Sequence, residues 1–558
     1  MKKIILLVLL LSIISCSQND LKKWINYDQS SEIIENSENE NQRLRYKRIQ
    51  SVSNNKNDLI NGYENEISIF LKTRYDEIKD LIIEKSIPEI QISISKGKFS
   101  YYELTLFYLS RIYLIEFDKE KYLNSIISIN KNALSEAKLR DKNLNVNMNS
   151  IYGIPILLKD NVGFEGLATT AGAYSLKDNF TQDAHIVEKL ENLGAIILGK
   201  SNLSEWANYF CLGCPNGYSA MGGQTLNPYG RKKIDTGGSS SGSGVATASN
   251  LSSVSIGSET SGSILSPSSS NSLVGMKPTI GSVSRSGIVP ISSTLDTAGP
   301  MTKFVIDNII VMNAIIGLDE NDSYSYDMKP VDIDLVKNAN LKDYKLGYYS
   351  NYFEEDSLYR KNIDLLKSKG ANLIKIEPKN ISLPNFRKLL DEDMRTDLVK
   401  YLNDYGNENL LVMDIKSIID YNSLDSVTRA PYGQGIFEGI IKDTMSKTDF
   451  KLLKEKLSSG TNTDMKNWSF IHLDKDKINE LFLSLNTNLE LDENLSSPYA
   501  YIIDKFSSLR GRDDSDGIKF GYDSRSVADI NNNMLDDVKI ILAEYRLALK
   551  KNNIFKEQ

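Results

Sequence analysis

The residues best suited to chemistry lie in one serine- and glycine-rich stretch between Gly237 and Ser272. It holds sixteen serines and six glycines, yet apolar residues recur among them, which is not typical of a flexible linker. We interpret it as a packed segment that needs hydroxyl groups and close backbone approach at fixed points. If one of these serines is a nucleophile, its base is not expected to be histidine, because the chain holds only His185 and His472.

The elements that must position such a serine follow an alternating pattern along the chain. Thr181 is a candidate cap for a helix that ends at Gly194. Further segments are identified by their apolar periodicity: strands at 154–158, 195–198, 254–256, 345–349 and 371–376, and helices at 204–208, 239–250 and 354–369. The alternation predicts an α/β fold, with a mixed central β-sheet covered by helices on both faces.

Several short segments of the chain resemble the motifs of the amidase signature family. They surround Lys159, Ser239 and Ser263, and they run over 153–161, 235–243, 257–264, 274–279 and 295–301. Two more segments, 202–208 and 222–229, are similar to the bacterial peptide amidase branch. The resemblance is strong over 150–315 and recognisable over 87–460, and it implies the amidase signature fold.

The resemblance implies a catalytic set of three residues. Ser263 would be the nucleophile, Ser239 would follow a cis peptide bond and relay the proton, and Lys159 would be the base. A lysine accepts a proton only when it is neutral, so burial must lower its pKa from about 10.4. The oxyanion hole would be the main chain of Thr260, Ser261, Gly262 and Ser263. Neither a cofactor nor a metal ion is implied.

The implied function is hydrolysis of a carboxamide C–N bond in a peptide-like or small acyl amide. Ser261 stands where relatives usually carry glycine or aspartate, and Leu265 stands where many carry an arginine. These departures leave open an alternative, a degenerate amidase fold that acts as a surface binding protein. A glutamine-dependent amidotransferase subunit is disfavoured, because an exported chain would not meet cytosolic partners.

The first residues of the chain resemble a bacterial lipoprotein signal. Two lysines precede the apolar run 4–14, and Ser15 and Cys16 follow it. We expect 1–16 to be a signal peptide, Cys16 to be lipidated, and the protein to be exported and membrane-anchored in the cell envelope; an ordinary secretory signal is the alternative. The remaining boundaries are predicted as a flexible polar tether at 17–57 and an amidase domain at 58–553, with a signature core at 150–315 and a divergent C-terminal part at 480–553.

Two further observations limit the partners of the protein. Cys211 and Cys214 are three residues apart without a second cysteine pair, which favours a local disulfide or two free thiols over a zinc site. The net charge of −7 gives no reason to expect a nucleic-acid partner. The expected partners are therefore a small amide or peptide-amide substrate and, through the lipid anchor, a membrane.

Overall fold

The computed structural model describes residues 21–378 and 385–458, and also the backbone of short strands at 499–500, 502–503, 509–510 and 522–523. Contacts divide the chain into one unit that ends at Gly460 and a second that begins at Thr461. The predicted signal peptide 1–16 with Cys16, and most of the predicted C-terminal part 480–553, lie outside the described residues. Within the described ranges, no helix is both long and apolar enough to cross a membrane.

A six-stranded mixed sheet forms the centre of the first unit. Its strand order is β1-β3-β2-β6-β8-β7, with β3, β2 and β6 parallel and the other pairings antiparallel. The strands of this sheet are β1 Ile126–Ile129, β2 Pro155–Lys159, β3 Ile196–Ser201, β6 Val254–Glu259, β7 Val274–Gly275 and β8 Thr297–Thr302. Separate pairs are formed by β4 Tyr218–Ser219 with β5 Gly223–Gln224, and by β9 Lys345–Tyr349 with β10 Asn372–Ile376. In the second unit, β11 Tyr499–Ala500 pairs with β14 Tyr522–Asp523, and β12 Ile502–Ile503 with β13 Leu509–Arg510.

Helices cover this sheet, so the predicted mixed sheet with helical layers is confirmed. Every residue of β2, β3 and β6 is buried, which is the burial expected of parallel strands enclosed on both faces. In chain order, the described helices α1 to α18 are Ser30–Asn36, Glu64–Thr73, Tyr75–Ile78, Ile87–Ser95, Tyr101–Glu116, Ala133–Lys142, His185–Asn192, Ser241–Ala248, Leu265–Ser270, Val305–Ile315, Ile333–Lys337, Ser350–Glu355, Ser357–Ser368, Phe386–Asp404, Ile415–Ser423, Ser426–Arg429, Gly435–Lys442 and Lys447–Ser458.

Three local predictions about helices need correction. Helix α7 begins at His185 after an extended Ala184, so Thr181 is not its cap. The predicted helix 354–369 is divided at Asp356, whose carboxylate accepts the backbone N–H groups that open α13. The segment 204–208 is not a right-handed helix, because three of its residues have positive φ angles.

The predicted flexible tether is wrong for residues 21–57, and the folded part begins before residue 58. Four apolar side chains of this segment are buried against the body of the protein, namely Trp24, Leu44, Tyr46 and Ile49. The Nζ of Lys56 donates to Glu116 Oε2 at 3.2 Å and to Asn124 Oδ1 at 2.8 Å, and Glu116 is completely buried. The polar composition misled the prediction because a few irregularly spaced aromatic and aliphatic residues suffice to anchor the segment.

Candidate active site

Lys159 is the last residue of strand β2, and its side chain has no solvent exposure. Its Nζ contacts Ser239 Oγ at 2.8 Å, Ser258 Oγ at 2.9 Å and the Ser258 carbonyl oxygen at 3.1 Å. Among the described residues, no carboxylate lies within ion-pair distance of this Nζ. Burial lowers the pKa of Lys159 to about 7, against the opposing effect of Asp296 and Glu259. A neutral amine can donate two N–H groups to Ser258 and present its lone pair to Ser239.

The two serines of the predicted catalytic set are brought together by the backbone. The peptide bond between Gly238 and Ser239 is cis, as the resemblance implied. The N–H of Ser240, which follows Ser239, donates to the carbonyl oxygen of Ser263 at 3.1 Å. Ser239 is fully buried and Ser263 is 7% exposed, so the nucleophile candidate is the member of the pair nearer to solvent. The structure thus brings the Lys159 side chain into contact with Ser239, and the backbone that follows Ser239 into contact with that of Ser263.

The loop that carries Ser263 is held by a carboxylate that the sequence interpretation had not singled out. Glu259 Oε1 accepts the N–H of Gly262 at 2.6 Å, and its Oε2 accepts those of Ile264 at 2.8 Å and Leu265 at 3.0 Å. The predicted oxyanion hole therefore needs a correction at Gly262, whose N–H is occupied. The backbone N–H groups of Thr260, Ser261 and Ser263 remain candidates.

Two more polar residues of the site were missed from the sequence. Ser258 accepts hydrogen bonds from Lys159 and, at 3.0 Å, from the amide of Asn161. Asp296 accepts the Thr260 hydroxyl at 2.5 Å and fixes the other side of the nucleophile loop. The available signal was that Ser258 and Asp296 lie inside two of the family-like motifs, but only packing shows what they contact.

The serine- and glycine-rich stretch is packed, as predicted. Ser240, Ser241 and Ser243 have no solvent exposure, and each hydroxyl donates to a backbone carbonyl group. Small side chains let helix α8 lie close to neighbouring backbone, because a Cβ on Gly242 would lie 2.5 Å from the carbonyl oxygen of Ser125. These three hydroxyl groups therefore satisfy buried backbone carbonyl groups.

The remaining candidates have structural positions. The Cα atoms of Cys211 and Cys214 are 5.9 Å apart, within the range that a disulfide spans. His185 lies at the start of helix α7, with its Nδ1 3.8 Å from Asp319 Oδ2, away from the serine pair. Over the described part of the chain, no group of three or more histidine, cysteine or acidic side chains could hold a metal ion.

Two cavities are lined in part by residues of the loop that carries Ser263. The larger, of about 430 Å³, is lined by Ser261 together with loop 204–218 and parts of 386–390 and 430–436. The second, of about 290 Å³, is lined by Thr260, Ser258 and Asn161 together with acidic and tyrosine side chains.

Comparison with known proteins identifies the family. A model described as Amidase matches residues 103–439. A probable amidase from Arabidopsis thaliana is 35% identical over 320 residues, which cover 55% of this chain and 60% of that relative. The chain thus spans about 60% of the length of this curated relative.

Solved structures give the same result. An amidase family protein from Bacillus anthracis str. Ames is 35% identical with a TM-score of 0.68, over 74% of this chain and 84% of that one. The native peptide amidase from Stenotrophomonas maltophilia is 33% identical with a TM-score of 0.61, over 67% and 79% respectively. Because the family model matches more than half of the residues and surrounds the lysine and both serines, the chain belongs to the Amidase family.

Proposed function

We propose that the protein hydrolyses carboxamide C–N bonds, with Ser263 as nucleophile, Ser239 as relay and Lys159 as base. The observation that carries this proposal is the fully buried Nζ of Lys159, 2.8 Å from Ser239 Oγ and without an ion-pair partner among the described residues. Burial that lowers the pKa of this amine to about 7 makes it a competent base near neutral pH.

The proposed reaction uses the contact between Lys159 and Ser239 and the closeness of the Ser239 and Ser263 backbones. Ser263 Oγ attacks the amide carbonyl carbon while its proton passes to Ser239 Oγ, whose own proton passes to Lys159 Nζ. The negative oxygen of the tetrahedral intermediate accepts hydrogen bonds from N–H groups of the loop; one such donor is typically worth about 3 kcal/mol of transition-state stabilisation. The proton returns through Ser239 to the leaving nitrogen, and water then releases the acid from Ser263 by the same sequence of steps.

A fluorophosphonate probe tests the nucleophile directly. The full-length protein should be labelled, and Ser263→Ala should lose the label. Ser266→Ala removes an exposed hydroxyl only three residues away, and it is the matched control that should stay labelled. A Ser263→Ala variant that is labelled as strongly as the parent would overturn the assignment. A correctly folded parent that neither reacts nor hydrolyses any amide would favour the binding-protein alternative.

We further propose that the substrate is a primary carboxamide of a peptide-like or small acyl group, released as ammonia. The similarity to a peptide amidase supports this class, as does the cavity of about 430 Å³ beside Ser261, a volume suited to an acyl group of side-chain size. C-terminally amidated di- and tripeptides, aliphatic amides and glutamine, assayed for ammonia, would rank the classes. Turnover restricted to aliphatic amides would contradict the peptide-like class.

We also propose that the protein is exported and anchored to a membrane through a lipid on Cys16. Support comes from the sequence, in which Lys2 and Lys3 precede an apolar run and Ser15 precedes Cys16. Metabolic labelling with a palmitate analogue should mark the parent and not Cys16→Ser. Cys211→Ser, which leaves Cys16 intact, is the control that should keep the label. Label that persists in Cys16→Ser would refute the anchor.

A further inference from the structure

The larger cavity beside the nucleophile loop contains one buried ionisable group that the proposed reaction does not use. Glu205 lines this cavity and is only 6% exposed. Its Oε2 accepts the N–H of Ala220 at 3.0 Å, whereas its Oε1 accepts no hydrogen bond from the residues that the structure describes. The cavity therefore holds an unpartnered carboxyl oxygen.

The backbone beside Glu205 contacts Ser239, the proposed relay serine. The N–H of Ser204 donates to the carbonyl oxygen of Ser239 at 3.0 Å. Glu205 is the next residue after this contact with the proposed relay serine. The next three residues adopt left-handed φ angles of 49°, 53° and 71°, which is uncommon for side chains larger than glycine. The N–H of Trp206 is held by the carbonyl group of Ala171 at 2.9 Å. This constrained turn directs the carboxyl group to a defined place.

No cation compensates this carboxyl group. In the described part of the chain, no lysine, arginine or histidine lies within ion-pair distance of Glu205. Burial raises the pKa of Glu205 well above its ordinary value, and the hydrogen bond from Ala220 opposes that shift. A buried carboxylate without a partner is costly, so burial favours the neutral acid. A ligand ammonium group beside Glu205 would offset that cost by supplying the missing positive charge.

The walls of the cavity define the rest of the ligand. They are mainly apolar and aromatic, and they include Tyr209, Phe210, Tyr218, Phe386, Leu390 and Ile436. Two guanidinium groups lie at the edge and already have partners: Arg43 donates to the Cys214 carbonyl group, and Arg387 donates to Asp391 Oδ1 at 3.0 Å. Arg43 is exposed and the Arg387 side chain is half exposed, so water and salt screen their charges.

We propose that Glu205 is a specificity-determining residue that binds an ammonium group on the acyl side of the substrate. The preferred substrates would be amides of apolar amino acids or short peptides with a free amino terminus, whose apolar side chain packs against the aromatic walls. The effect of this inference on catalysis rests on the proposed amidase function. Binding of the ammonium group by Glu205 does not itself require turnover.

The test compares matched ligands that differ only in the ammonium group. Full-length Ser263→Ala protein is titrated calorimetrically with leucinamide and N-acetyl-leucinamide, and with glycyl-leucinamide and its N-acetyl form. At least one ammonium ligand should bind about 10- to 100-fold more tightly than its acetylated partner, the range expected for a hydrogen-bonded buried charge. Adding Glu205→Gln should abolish this preference, while Glu205→Asp should retain part of it.

A second variant separates Glu205 from the general electrostatic field of the cavity. Asp391→Asn removes a negative charge at the edge, where Asp391 accepts from Arg387 and Tyr209, and it should leave the preference intact. Equal binding of free and acetylated ligands, no binding of any ammonium ligand, or equal effects of Glu205→Gln on both members of a pair would overturn the proposal. The preference for free over acetylated ligands is measured first in the protein that keeps Glu205. The proposal can therefore be refuted even if the Glu205→Gln variant does not fold.

The outcomes for the two proposals are distinguishable. If the parent hydrolyses amides and Ser263 reacts with the fluorophosphonate, but free and acetylated amides bind equally, only the role of Glu205 fails. If ammonium ligands bind with a preference that Glu205→Gln removes, yet Ser263 is unreactive and no amide is hydrolysed, the binding site stands and the amidase function fails.

Discussion

Two fully buried lysines show that the partner of a lysine, more than its burial, decides which of them can serve as the proposed base. Burial lowers the pKa of Lys159 to about 7 and that of Lys200 to about 8, the latter opposed by Asp160. Lys200 Nζ donates to the Val162 carbonyl group and to the Thr169 hydroxyl, neither of which belongs to the serine pair. Lys159 alone of these two contacts Ser239. The two lysines therefore differ in the hydroxyl group that they contact: Ser239, the proposed relay, for Lys159, and Thr169 for Lys200.

The activity should rise with pH as Lys159 loses its proton. Because burial lowers the folded pKa of Lys159 to about 7, kcat/KM should increase from pH 5.5 through pH 7 and then level off. Lys159→Arg stays protonated over this range and should lose about 100- to 10,000-fold in kcat/KM, like Lys159→Ala. The measurement is kcat/KM across pH 5.5–9.5. A flat profile of the parent, or substantial activity of the arginine variant, would contradict lysine as the base.

The same pKa makes a prediction about stability. Lys159 titrates near 10.5 in the unfolded chain and near 7 in the folded protein, so between these values the unfolded state binds more protons. Its contribution to the free energy of unfolding should therefore rise with pH from about 7 to about 10.5. Urea unfolding of the parent and of Lys159→Met at pH 7.5 and 9.5 checks this: the parent should gain relative to the variant at the higher pH. An unchanged difference would contradict a lowered pKa.

At the scale of elements, the site depends on the closeness of helix α8 to the strands beneath it. The helix begins at Ser241, two residues after Ser239, and its Thr247 hydroxyl is 2.8 Å from the hydroxyl of Ser255 in β6. Strands β2 and β6 are parallel neighbours in the sheet. Lys159 at the end of β2 and the Ser263 loop after β6 therefore lie at the same edge of the sheet. Small residues on α8 are what allow these three elements to meet.

Two glycine-to-alanine substitutions in helices should have opposite effects. Alanine normally stabilises a helix by about 0.5–1 kcal/mol relative to glycine. Gly439 in α17 has open space around its Cα, so Gly439→Ala should show this gain. A Cβ at Gly242 in α8 would overlap the backbone of Asn202 and Ser125, and Gly242→Ala should cost about 1–3 kcal/mol or more. Urea unfolding measures both; a neutral Gly242→Ala would contradict the close packing of α8.

At the scale of the whole molecule, the segment 21–57 joins parts of the first unit that are distant in sequence. The Lys47 N–H donates to the Tyr432 hydroxyl at 2.7 Å, and Lys47 Nζ donates to the Pro431 carbonyl group at 3.0 Å. Arg43 reaches the carbonyl group of Cys214. The segment therefore supports two of the loops that line the larger cavity.

Removing the aromatic anchor of this segment should destabilise the protein. Trp24 is 7% exposed, its ring packs edge-on against Tyr122 at 5.1 Å, and Lys56 Nζ lies 4.4 Å from it. Trp24→Ala should cost about 3–5 kcal/mol of unfolding free energy, the range for large aromatic truncations in a core. Ile25→Ala, at a neighbouring position that is 72% exposed, is the control and should be nearly neutral. Equal stability of the two variants would restore the tether interpretation for this segment.

The sequence by itself determined the α/β alternation, the mixed sheet and the three residues that could form a catalytic set. Short-range periodicity identifies buried strands such as β2 and β3, because their side chains are apolar almost without interruption. The resemblance then selected Lys159, Ser239 and Ser263 out of many lysines and serines. None of this required knowing how distant segments pack.

Tertiary structure alone decided three other features: the folded state of residues 21–57, the occupied N–H of Gly262, and the unpartnered carboxyl group of Glu205. Each depends on contacts between residues far apart or on an irregular backbone, for which no local period exists. Trp24 is buried in a cluster that includes Tyr122, from a distant part of the chain, and Glu205 precedes three residues with left-handed φ angles. Local patterns report which side chains prefer burial, but the partner that meets each buried polar group is fixed only when the chain has folded.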